Sequence, residues 1–117
     1  MAIKPVETIE VTNAIRRTAE RLENGVDVIS QKAKDYAIAE REYRIALRKE
    51  IVKLRTEKMP VTLIHDVARG SENVIDLKFN RDLAMETYKA SRDMLNALST
   101  EVSSLQSILK VQTNIEK

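Results

Sequence analysis

Few side chains in this sequence have the type and spacing needed for chemistry. The chain has one histidine, His65 beside Asp66, and no cysteine. A lone histidine needs carboxylates at ligand spacing to hold a transition metal, and the sequence shows no such cluster. Glu40 and Glu50 fall on one predicted helix stripe about 15 Å apart, too far for a pair of acid–base carboxylates. We therefore expect no metal, no cofactor and no enzymatic activity.

A row of cations is the clearest candidate binding feature. Residues 32–58 carry nine Lys or Arg residues against five Asp or Glu, although the whole chain has a net charge of only +2. Four of these cations recur every seven residues, and a fifth lies one turn away on the same side of a helix. They are Lys34, Arg41, Arg48, Arg55 and Arg44. Such a row fits a solvated coiled-coil flank, an acidic protein partner or nucleic-acid phosphates.

A second apolar stripe accompanies the cations. Ile38, Ile45 and Val52 also recur every seven residues, on the face opposite the main apolar pattern of the same helix. Three β-branched residues in register favour a docking face over scattered surface aliphatics. The predicted partner-binding face therefore consists of Lys34, Ile38, Arg41, Arg44, Ile45, Arg48, Val52 and Arg55.

The composition indicates which elements position these residues. The 117 residues include 32% charged and 43% hydrophobic side chains but only two Gly and two Pro. Sandwiches, barrels and doubly wound sheets need more turn residues than that, whereas long helices do not. No signal peptide and no apolar run of membrane-spanning length is visible. We therefore expect an all-α protein of the cytoplasm that does not enter a membrane.

One segment carries the breakers of the predicted helices. Pro60 disfavours helical geometry at Met59, and Gly70 followed by Ser71 fits the end of one helix and the start of the next. The predicted single domain, 1–117, consists of a long helix over about 6–57, an elbow at 58–71 with a short helix at 62–69, and a long helix over about 72–115. The elbow is a second candidate docking site through Met59, Pro60, His65, Arg69 and Gly70.

Heptad seams predict how the long helices pair. In the first helix, apolar or seam positions alternate at spacings of four and three through Gly25, so we expect one continuous helix there. These positions are Ile15, Ala19, Leu22, Val26, Ile29, Ala33, Tyr36, Glu40, Tyr43, Leu47, Glu50 and Leu54. The second helix has a matching seam of Leu77, Arg81, Ala84, Tyr88, Ser91, Leu95, Leu98, Val102, Leu105, Leu109 and Gln112. Two seams joined by a short elbow predict a long antiparallel helical hairpin.

The polar seam residues suggest a register. If Glu50 lies opposite Arg81, the buried carboxylate gains a cationic partner and Tyr43 lies opposite Tyr88. Registers shifted by one heptad leave Glu50 without such a partner. We therefore predict a seam ion pair between Glu50 and Arg81. A two-helix hairpin encloses no core, so we also expect a homodimer that forms a helical bundle.

The central part of the chain resembles a known group. Tyr36 to Arg44, the elbow sequence Met-Pro-Val-Thr-Leu-Ile at 59–64, Ala-Arg-Gly at 68–70, and Arg81-Asp82 with Tyr88 resemble small helical hairpin proteins of phages and prophages of Gram-positive bacteria. The resemblance covers roughly residues 32–95. It implies an accessory protein of the host cytoplasm that binds a host or phage factor of replication, recombination, transcription or defence.

The expected function is therefore a non-enzymatic protein–protein interaction module. Two alternatives remain at this stage. Nucleic-acid binding would use the basic residues within 34–58, and a structural role would place the protein in the virion.

Overall fold

The chain forms three helices. The computed structural model describes residues 5–116, with side chains for residues 8–115. Helix α1 is Pro5–Thr56, α2 is Val61–Arg69 and α3 is Glu72–Glu116, and the described residues include no strand. The four helix ends next to the elbow lie within one residue of their predicted positions. The all-α class is confirmed, and α1 packs against α3 in the manner of a hairpin.

Helix α1 is continuous through Gly25, as predicted. The chain divides into two compact units. The first combines the part up to Ile29 with the part from Ala90 onward, and the second is Ser30–Lys89.

Within the second unit, α1 and α3 run antiparallel. The rings of Tyr36 and Tyr88 stack with their centroids 6.3 Å apart. The guanidinium of Arg81 lies 4.8 Å from the centre of the Tyr43 ring. Residue numbers that rise along α1 therefore meet falling numbers along α3.

The predicted seam pair between Glu50 and Arg81 is wrong. Arg81 Nη1 instead donates to Glu40 Oε2 at 2.7 Å, and Tyr88 packs on Tyr36 rather than on Tyr43. The prediction assumed that Glu50 needs a cation in the seam. Glu50 is only half-buried and lines a shallow surface cavity with Asn73 and Leu77, where solvent reaches it. The actual register lies one heptad away from the predicted one, and the long Arg81 side chain reaches Glu40 diagonally.

Helix α2 covers the end of the second unit. Ile64 and Ala68 of α2 are buried against Leu54 of α1. The half-buried side chains of Leu47, Ile51 and Met59 pack around this cluster. The short helix therefore packs its buried side on the C-terminal end of α1.

The turn between α1 and α2 is a Schellman motif centred on Lys58. The N–H of Lys58 donates to the carbonyl of Arg55 at 3.1 Å, and the N–H of Met59 donates to that of Leu54, also at 3.1 Å. Lys58 has φ 61°, the left-handed conformation that this motif requires and that glycine usually supplies. Met59 also packs against the cluster that contains Leu54, the apolar contact typical of the motif.

Gly70 ends α2, as predicted, but without the left-handed conformation that glycine often adopts at such a position. Its φ is −86°, so α2 ends without a left-handed residue, and the Gly70 N–H donates to the carbonyls of Asp66 and Val67. The last turn of α2 is tightened by a hydrogen bond between residues three apart. This bond satisfies terminal carbonyls that would otherwise need the hydrogen bonds of a left-handed cap. Ser71 then precedes α3 as expected, and its carbonyl accepts the N–H of Ile75 at 2.9 Å.

The predicted seams hold except near Gly25. Every predicted seam residue of α3 is half-buried or buried, and so is every one of α1 from Ile29 to Leu54. Ala19 and Val26, however, are exposed, whereas Thr18 is buried and Gly25 is half-buried. A β-carbon at Gly25 would collide with the side chain of Leu95. Gly25 thus lies in the seam beside Leu95, and a larger residue there would require this leucine to move.

Candidate interaction surface

The predicted partner-binding face lies on the exposed side of α1 in the second unit. Ile45 and Val52 are 47% and 52% exposed, which is unusual for β-branched aliphatic residues. Ile38 is half-buried. The five cations are all exposed: Lys34, Arg41, Arg44, Arg48 and Arg55. We call these eight residues the basic face.

The centre of the basic face is a shallow cavity of about 360 Å³. Ile45 and Val52 line it together with Arg48 and Lys49. Long cationic side chains that border an apolar floor can contact an apolar group through their stems and an anion through their heads. The cavity can therefore receive an apolar side chain that has a carboxylate beside it.

Arg44 is the one member of the basic face with a described ionic partner. Its Nε donates to Glu40 Oε1 at 2.7 Å, one helical turn away. The charge of Arg44 is thus partly offset, although its side chain is 77% exposed. The four residues spaced by sevens are better placed than Arg44 to bind an external anion.

Glu40, Arg81 and Tyr43 form a polar layer within the seam. Glu40 accepts hydrogen bonds from Arg44 and Arg81, which lower the pKa of its carboxyl below the ordinary value. The hydrogen bond to Glu40 in turn raises the pKa of Arg81, although burial opposes this effect. Arg81 also donates to Asp82 at 2.8 Å. These groups satisfy one another, so the layer stabilises the pairing of α1 with α3 rather than presenting a binding site.

A second exposed apolar row lies on α3 and was not predicted. Ile75, Phe79 and Leu83 are 50%, 65% and 57% exposed. They stand four residues apart, which places them on one side of a helix. The heptad pattern drew attention only to the seam, but the spacing of four in this trio was visible in the sequence. The chain's single phenylalanine therefore lies on the surface.

Acidic residues surround this row on α3. Glu72, Asp76 and Glu86 are exposed and Asp82 is half-buried. Two lysines share the helix surface, and each lies against an acid: Lys78 Nζ is 3.5 Å from Asp82 Oδ2, and Lys89 Nζ is 3.8 Å from Glu86 Oε1. We call the set Glu72, Ile75, Asp76, Phe79, Leu83 and Glu86 the acidic face.

The elbow residues differ in exposure. Met59 is half-buried in the cluster under α2, whereas Pro60, His65, Arg69 and Gly70 are exposed. Arg69 borders an open groove of about 740 Å³ that is also lined by Tyr43, Val74, Ile75, Lys78, Phe79 and Asp82. Arg69 thus belongs with the surface of α3, and Met59 has a structural role.

Within residues 5–116, no three His, Asp or Glu side chains are grouped so that they could hold a metal ion. No helix in that range has the length and apolar character to cross a membrane.

Comparison of the chain with family models, curated proteins and solved structures found no match.

Proposed function

We propose that the protein is a non-enzymatic interaction module that binds a protein partner through the basic face of α1. The observation that supports this most directly is the shallow cavity in which exposed Ile45 and Val52 lie beside Arg48 and Lys49. An amphipathic helix with apolar residues along one side and carboxylates beside them matches this surface in shape and charge. Binding would remove both aliphatic side chains from water.

The resemblance to phage and prophage proteins suggests the setting. Under this proposal the partner is a host or phage factor of replication, recombination, transcription or defence, and the complex forms in the host cytoplasm. A structural virion component is the alternative, and it predicts that the protein is found in purified particles.

Self-association belongs to the same proposal. Only five hydrophobic side chains among the described residues are buried, namely Leu54, Ile64, Ala68, Val74 and Leu98. Fifteen large hydrophobic residues of the described part are exposed. A small helical protein with so little core gains stability when a second copy covers part of its surface.

Nucleic-acid binding is the second candidate function. Lys34, Arg41, Arg48 and Arg55 are exposed along one helix, which suits contact with a phosphate backbone. Phosphates, however, would make no use of Ile45 and Val52. The protein-partner proposal accounts for both the cations and the aliphatic residues, so we favour it.

Two double variants of the basic face separate these functions. The variant I45Q/V52Q removes the apolar floor and keeps all charges, whereas R41E/R48E reverses two charges and keeps the floor. R16E/R17E, at two exposed positions of α1 in the first unit, is the matched charge control. The probes are mixed-sequence duplex DNA and a synthetic acidic amphipathic helical peptide, each measured over a range of salt concentrations.

A protein-binding face predicts that both basic-face variants lose the peptide while R16E/R17E retains it. Binding of DNA that R41E/R48E alone abolishes would instead favour the nucleic-acid function. Affinity capture from infected cells with the same variants, followed by mass spectrometry, then identifies partners. A relevant partner is retained by the wild type and by R16E/R17E but lost with I45Q/V52Q.

A further inference from the structure

The exposed surfaces of α1 and α3 in the second unit complement each other in charge. Between Ser30 and Thr56, basic residues outnumber acidic residues eight to four. Between Arg69 and Lys89, four acidic residues stand against four basic ones, and one of these, Arg81, is bound to Glu40 in the seam. The basic face and the acidic face thus present opposite charges to solvent.

The two faces also match in their apolar rows. Ile45 and Val52 span about 10 Å of helix, and Ile75 to Leu83 span about 12 Å, at 1.5 Å of rise per residue. Each row is about half exposed and has charged residues on its borders. The acidic face is therefore an amphipathic acidic helix of the kind that the basic face is proposed to bind.

We propose that copies of this protein bind one another through the basic face of one copy and the acidic face of the next. In this contact Phe79 and its apolar neighbours cover Ile45 and Val52. Arg41 and Arg48 then approach the carboxylates that border Phe79. The inference rests on the proposed function, because it names a second copy of the chain as a partner of the basic face.

Charge argues against the symmetric alternatives. A contact between two basic faces would bring Arg41 and Arg48 of one copy close to Arg41 and Arg48 of the other. A contact between two acidic faces would likewise bring Glu72 and Asp76 of both copies together. Like charges opposed across an interface are unfavourable. A contact between unlike faces avoids this repulsion, but it leaves one basic and one acidic face free in each dimer. The assembly then closes into a ring or continues as a chain.

The test uses two variants that each disable one face. I45Q/V52Q alters the basic face and F79Q/L83Q alters the acidic face. Glutamine is a good helix former, and all four positions are exposed, so the fold should persist, which circular dichroism checks. M94Q/I108Q, at two exposed positions of α3 in the first unit, is the matched control. Sedimentation velocity measures assembly at micromolar to millimolar concentrations.

We expect the wild type and M94Q/I108Q to assemble, and more strongly at low salt. Each face variant alone should be monomeric, and an equimolar mixture of the two should form a one-to-one complex through their remaining faces. A monomeric wild type, a mixture without complex, or full assembly of F79Q/L83Q alone would each overturn the inference.

The outcomes also separate this inference from the proposed function. If the wild type is monomeric and binds the acidic peptide, and I45Q/V52Q does not bind it, only the inference of self-assembly fails. If I45Q/V52Q changes neither assembly nor peptide binding, the proposed function of the basic face fails as well.

Discussion

The side chain of Leu95 occupies the space that a β-carbon would need at Gly25. Glycine inside a helix costs about 1 kcal/mol relative to alanine, because it loses more backbone freedom on folding. Here the cost is offset by close packing between α1 and α3 within the first unit. Gly25 is thus a packing position and not merely a tolerated weak point of α1.

Replacement of Gly25 by alanine should therefore fail to give the usual stabilisation. We expect the free energy of unfolding of G25A to fall by about 1 kcal/mol, since displacement of Leu95 outweighs the gain in helix propensity. In an L95A background the obstacle is gone, and G25A should then stabilise by about 1 kcal/mol. Urea unfolding of the four proteins of this double-mutant cycle measures the change of sign. Equal stabilisation in both backgrounds would show that Leu95 does not pack on Gly25.

At Lys58, in contrast to Gly25, a change in glycine content should act in the other direction: here the introduction of glycine should stabilise the protein. A non-glycine residue in the left-handed region costs about 1 kcal/mol, so K58G should raise the free energy of unfolding by roughly that amount. Gly70 has an ordinary negative φ, and a β-carbon there would make only normal contacts of 3.5 and 3.6 Å. G70A should accordingly be neutral or stabilise by up to about 1 kcal/mol. Thermal unfolding of both variants measures these changes. A lower melting temperature of K58G, or a G70A variant that does not fold, would contradict the elbow geometry.

The sequence was sufficient to predict the helices and most seam positions, because heptad spacing determines which side of a helix is buried. It was misleading at Ala19 and Val26, which are exposed although their hydrophobicity favoured them over the adjacent Thr18 and Gly25. A pattern of single residues does not show that a glycine admits a leucine from another helix. Likewise nothing in the sequence marks Lys58 as a left-handed residue, although the Schellman turn forms there and Met59 packs beside Leu54.

The register could not be settled from the seams alone. After a shift by one heptad, each seam residue has a different partner, but seam positions still lie opposite seam positions. Contacts that run diagonally, such as that between Arg81 and Glu40, decide it. The candidate surface was predictable in part. Ile45 and Val52 stood out by their seven-residue period, whereas Phe79 belongs to a row with a spacing of four that does not follow the heptad.

The Glu40 carboxylate should make stability depend on pH. Its pKa is lowered in the folded protein, so its contribution is present above the pKa of the unfolded chain, near 4.3, and is lost as the pH falls through the folded value. E40Q should unfold more easily than the wild type at pH 7, by about 1 kcal/mol. The difference between the two proteins should shrink at pH 3.

Urea unfolding at the two pH values measures this difference. E86Q is the matched control, because Glu86 is 68% exposed and its nearest lysine nitrogen is 3.8 Å away. An exposed ion pair of this kind contributes little, so E86Q should behave as the wild type at both pH values. A gap between E40Q and the wild type that stays constant from pH 7 to pH 3 would show that the Glu40 charge is not the cause.

Engineered cysteine pairs can test the register directly, because the natural chain contains no cysteine. Tyr36 and Tyr88 face each other, so Y36C/Y88C should form an intramolecular disulfide under mild oxidation. In Y43C/Y88C the first cysteine is displaced by one heptad, about 10 Å along the helix, which is beyond disulfide reach. Non-reducing electrophoresis and mass spectrometry of dilute protein compare the yields of cross-linked monomer. Preferential cross-linking of Y43C/Y88C would instead support the register in which Glu50 lies opposite Arg81.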